Sequence, residues 1–210
     1  RGYGTDQMLL YYQNNAVHFN VDIVVLAFAF HHIPRNIRSF TFYAKPYYKL
    51  INGKLVLNGV PIPSAYILFD ENHPGYKKNY FNRSVFLRTL LNIYKKYKFH
   101  KQFSENSHTW EITETIIKKF ANVVRKNNTK FILVNIETEY EYLEPVLKNV
   151  ASTLDIEYLN LGPKLRSAIS SGMLLQIAND NHWSSHGHEF VAEQIYIYLC
   201  GEILKLICEE

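Results

Sequence analysis

The 210-residue chain sets 23 Lys and Arg against 19 Asp and Glu, a formal net charge of +4, with 47% hydrophobic residues. That is enough apolar material for one sizeable core, and no Pro-, Gly- or Ser-rich linker divides it, so residues 1–210 read as a single domain. No apolar run approaches the roughly 18 residues of a membrane span, and Lys95-Lys96, Lys118-Lys119 and Arg125-Lys126 fall on the polar sides of helical patterns, a solvated face rather than a nucleic-acid interface.

In chain order, Met8, Leu9, Tyr12 and Ala16 recur at helical spacing behind a possible cap at Thr5 or Asp6, which predicts a helix over about 6–15 fed by a turn at Gly2 and Gly4. The unbroken apolar run 22–30 predicts a central parallel strand buried on both faces. Its exit, His31-His32-Ile33-Pro34-Arg35-Asn36, stands where open α/β sheets bind ligands. Asn52-Gly53 between two apolar-rich runs predicts a hairpin within 43–57. A long irregular loop through Pro61, Pro63, Pro74 and Gly75 and a helix over 81–97 follow.

Further on, Ile112, Ile116, Ile117, Phe120, Val123 and Val124 predict a helix from Thr109 or Trp110 to Lys126, and 130–136 a second buried strand. A helix over 140–152, a short strand over 156–161 and a Pro-started helix over 163–170 come next. The last helix, 187–207, is expected to bury Phe190, Ile195, Ile197, Leu199, Ile203, Leu204 and Ile207, with His186 and His188 at its first turn as caps. Cys200 and Cys208 on that helix would stand about 12 Å apart at 1.5 Å per residue, beyond disulfide reach, so both are expected as free thiols. Strands alternating with helices indicate an α/β fold with a mostly parallel sheet.

Three blocks carry a family resemblance: Gly2-Tyr3-Gly4-Thr5-Asp6-Gln7, the strand Val24 to Phe30 with its exit, and Asp180-Asn181-His182-Trp183. Together the chain resembles the SGNH/GDSL hydrolases, esterases and lipases that include a polysaccharide O-acetyl esterase and transferase branch. The resemblance implies a flavodoxin-like three-layer α/β/α sandwich with the hairpin of 38–63 as an insertion. It also implies catalytic His182 and Asp180, with the N–H of Gly4 in the oxyanion hole. The family's oxyanion asparagine has no direct counterpart. Its place falls on His31-His32, with Asn36 a few residues on, so these three are the candidate second donors, and Trp183 is expected to wall the pocket or anchor the loop.

The family's Gly-Asp-Ser block occurs nowhere in the 210 residues. Residues 1–7 read like the middle of a βα unit, and the nucleophilic serine is expected upstream of Arg1, about 30 residues away by the length of a strand, helix and strand. An acid-supported imidazole is half of a hydrolytic triad, so the expected activity is hydrolysis of acyl esters, acetyl esters foremost, on a small-molecule or carbohydrate substrate, with no cofactor. The competing expectation is a non-catalytic module of the same fold that binds a carbohydrate or a protein. Zinc held by His182, His186, His188 and Asp180, with His31 or His32, is the weaker chemical competitor, since no His pair demonstrably shares a helical face. Glu137, Glu139, Glu141 and Glu144 are read as charge near a helix N-terminus.

Overall fold

The structure, a computed structural model, describes residues 2–41, 43–62, 107–178 and 182–203. The expected loop through Pro63, Pro74 and Gly75, the helix over 81–97, Asp180 and Cys208 lie outside them. The chain divides into two compact units, residues 1–21 with 30–128 and residues 22–29 with 129–210. The fold is mixed α/β, with a three-stranded parallel sheet in one unit and an antiparallel hairpin in the other.

The first unit holds α1 (Thr5–Asn14), a 3-10 turn (Ala16–Phe19), the five-residue α2 (His32–Asn36), the hairpin β2 (Tyr47–Ile51) and β3 (Lys54–Asn58), and α3 (His108–Lys126). The exit of the apolar run coils into α2. Pro34 is tolerated there because the first turn of a helix needs no N–H donors. In the hairpin, Asn52 and Gly53 both take positive φ, 50° and 73°, the conformation that matches the twist of paired strands. Helix α3 starts at a Ser107 cap, whose Oγ accepts from Trp110 N at 3.2 Å. It buries Trp110, Ile112, Ile116, Ile117, Phe120 and Val124, and the Phe120 ring meets Tyr12 of α1 with centroids 5.5 Å apart. Lys119 Nζ lies 4.8 Å from the Tyr48 ring centroid and so joins the polar flank of α3 to the hairpin.

The second unit is built on β1 (Ile23–Phe28), β4 (Lys130–Asn135) and β5 (Glu157–Asn160), all parallel in the order β1-β4-β5. Here the prediction for β1 needs correction. Its neighbour β4 is the strand buried from Phe131 to Asn135, whereas β1 is paired along one side only among the described residues and leaves Val25 39% exposed. An apolar run alone does not tell an outer strand from a central one. Around the sheet come α4 (Leu143–Leu154), α5 (Gly162–Ser170), α6 (Ser185–Tyr198) and a π-helical turn (Leu199–Ile203). Ile132, Val134, Leu161, Leu165, Ala168 and Leu175 form a buried cluster, and Phe190, Ile195, Leu199 and Ile203 close over it as expected. Ile197 does not: it is 48% exposed, because it stands on the outer face of α6. Cys200 is a buried free thiol.

Candidate active site

In the first unit, two of the four candidate oxyanion residues, Gly4 and Asn36, lie side by side in one buried turn. Asn36 at the end of α2 reaches back to the start of α1: its Oδ1 accepts from Thr5 Oγ1 at 2.9 Å and from Asp6 N at 3.1 Å. Its Nδ2 donates to Thr5 Oγ1 at 2.7 Å and to Thr113 Oγ1 of α3 at 3.0 Å. Gly4 is pressed against this side chain; a Cβ there would stand 2.4 Å from Asn36 Oδ1 and 2.7 Å from Asp6 Oδ1, so only glycine permits the approach. Arg35 Nη1 adds a bond to Tyr3 O at 3.2 Å. Thus Gly4 and Asn36 lie together, with Asn36 bracing the turn through both ends of its amide.

Asp6 and Lys45 form a buried ion pair from α1 to the segment that enters β2, across 39 positions of sequence. Burial pushes the Asp6 carboxyl up to about 6 against the opposing pull of Lys45, and burial likewise lowers the Lys45 ammonium. Asp6 Oδ1 accepts from Gln7 N at 2.8 Å. At the start of α2, His31 is exposed and His32 buried, with the rings edge to face at 4.5 Å. Burial, then the neighbouring charges of His31 and Arg35, hold the His32 imidazole well below its ordinary range, so it is neutral in the native protein. Of these two candidate donors, His31 is the one that presents its side chain to solvent.

The second unit carries the imidazole on an arm. Residues 176 and 183 pair as an antiparallel bridge, Ile177 N donates to His182 O at 2.9 Å, and Ser184 N donates to Leu175 O at 2.9 Å. The His182 side chain is exposed on this arm, while Trp183 is half-buried and packs against the core cluster. The α6 cap is Ser184, not His186 or His188: its Oγ accepts from Gly187 N at 3.1 Å and donates to Leu174 O at 2.6 Å. A serine hydroxyl can do both, whereas the two histidines lie within the helix with exposed side chains.

Sequence reasoning missed a polar network at the C-terminal ends of β4 and β5. Asn135 and Asn160, paired in register, share a bond from Asn135 Nδ2 to Asn160 Oδ1 at 2.9 Å. Asn160 Nδ2 donates to Glu144 Oε2 at 2.9 Å, and Glu144 pairs with Arg166 at 2.6 Å. Glu137 Oε1 caps the backbone N–H groups of Thr138 and Glu139 at 2.9 and 2.8 Å. Glu144 stands in the first turn of α4, as the dipole reading of the glutamates expects, and it also fixes Asn160. The signal available was an asparagine closing each of two apolar strands.

Among the described residues no three His, Cys, Asp or Glu side chains gather as a metal site, and no helix is long and apolar enough to cross a membrane. The chain matches no family model, no curated protein and no solved structure.

Proposed function

We propose that the chain works within a serine ester hydrolase of the SGNH/GDSL type, on a flavodoxin-like sandwich, acting on acyl esters such as acetyl esters. The reading requires a nucleophilic serine, which these 210 residues do not supply in a Gly-Asp-Ser block. The observation that carries this reading is the Asn36 brace: a buried amide that ties the exit of β1 to the Gly4 turn, the two segments that would build an oxyanion hole. His182 takes the serine proton as Oγ bonds to the ester carbonyl carbon, and Asp180 holds the imidazole and steadies its positive form. The tetrahedral oxyanion accepts from Gly4 N–H, with His31 as the second donor. Collapse of the intermediate expels the alcohol, protonated by His182, and water then repeats the sequence on the acyl-serine.

A second reading, a non-catalytic module of this fold that binds a carbohydrate or a protein, is favoured by one observation: both Nδ2 hydrogens of Asn36 are already engaged. The two readings separate on a longer polypeptide that carries a Gly-Asp-Ser block ahead of these residues. Turnover of p-nitrophenyl acetate together with an acetylated serine found by mass spectrometry is the expected result. A folded, extended protein with neither acylation nor turnover would favour the binding module.

A further inference from the structure

Within the second unit, α6 and the segment leading into the histidine arm enclose an open cavity of about 570 Å³, inside the roughly 300–1,000 Å³ span of small-molecule sites. Met173, Leu174, Leu175 and Phe190 supply its apolar walls, and Glu189 and Glu193 stand at its rim beside His186. Leu174 is 79% exposed and Met173 52%, so two large apolar side chains face water at the mouth. A contiguous apolar patch rimmed by polar groups marks a binding surface.

The rim decides what binds. Glu189 and Glu193 are one helical turn apart, the spacing at which like charges repel, and neither takes part in an ion pair among the described residues. The described lysine that reaches α6, Lys164, donates instead to Gln194 Oε1 at 2.6 Å. Two carboxylates that pair with no described cation, beside an apolar hollow, repel a fatty-acid carboxylate and attract a cation whose apolar part fills the walls.

We propose that this cavity binds a cationic amphipath, a linear alkyl chain ending in an ammonium group. The proposal is independent of the esterase reading. The test is isothermal titration of the 210-residue chain with dodecyltrimethylammonium below its micelle concentration, beside decyltrimethylammonium and dodecanoate. Saturable binding at one site is expected. The decyl compound should bind roughly tenfold more weakly, the effect of two methylenes, and dodecanoate at least tenfold more weakly. Leu174→Lys, at an exposed position that leaves the core intact, should weaken the ammonium compound at least tenfold. Glu189→Gln with Glu193→Gln should narrow its advantage over dodecanoate. The proposal is overturned by equal binding of dodecanoate, by many-site uptake, or by unchanged affinity in variants whose circular dichroism matches the parent.

Discussion

The turn at Gly4 and the arm at His182 are organised in opposite ways. In the first, side chains hold the backbone: Asn36, Thr5, Thr113, Asp6 and Lys45 are buried and bonded to one another. In the second, backbone pairing sets the path: the arm is a short antiparallel bridge with Trp183 packed on the core cluster, and His182 is exposed. In the proposed hydrolase, a donor that must meet a developing charge works only if it is already fixed, whereas a base needs to be correctly protonated and reachable. Mutations at the turn should therefore act on stability, and mutations at the arm on turnover.

The largest effect that separates the two is His182→Ala in the serine-containing polypeptide. Hydrolysis of p-nitrophenyl acetate should fall at least ~10³-fold, the scale of a lost triad base, with an unchanged thermal midpoint. A small loss of turnover would remove His182 from the chemistry. Next comes Lys45→Met, which leaves Asp6 buried without its partner and should lower unfolding stability by about 3–5 kcal/mol in urea titrations. Asn36→Ala strips the turn of its brace and should cost about 2–4 kcal/mol. Gly4→Ala, which forces a Cβ onto the Asn36 carbonyl, should cost about 1–3 kcal/mol. If any of these three is as stable as the parent, the turn is not held by its side chains.

Smaller effects follow pH, and two groups of the turn region pull in opposite directions. His32 has a depressed native pKa, so the unfolded chain binds the proton more readily. Its contribution is complete at neutral pH and is lost as pH falls below its ordinary value of about 6.5. Asp6 has a native pKa raised from 3.8 to about 6, so its protonated form favours folding. That contribution is fully present below 3.8 and disappears as pH rises through about 6. Urea midpoints followed from pH 7 down to 4 should therefore decline less steeply in His32→Gln and more steeply in Asp6→Asn than in the parent. Parallel curves would show that neither group differs between the folded and unfolded states.

What was legible in the sequence was local. Asn52-Gly53 announced the hairpin because few dipeptides accept positive φ at both positions. The spacing from Ile112 to Val124 announced the buried face of α3. The illegible parts depend on partners far away in the chain. Lys45 reads as one more surface cation until it is seen against Asp6, and Asn135 and Asn160 become a network only once β4 and β5 are in register. The same reason misplaced β1: periodicity describes how apolar a strand is, and neighbours decide how deeply it lies. Of the candidate site, Gly4 and Asn36 could each be named from the sequence, while the engagement of both ends of the Asn36 amide depends on Thr5 and Thr113, far apart in the chain.

The chain has two tryptophans, and they fall one to each compact unit, Trp110 on α3 and Trp183 on the arm. Nature has thus installed a separate optical label in each half. Replacing either by phenylalanine leaves a single emitter, and comparing the two melting curves would reveal whether the halves come apart in one cooperative event or in succession.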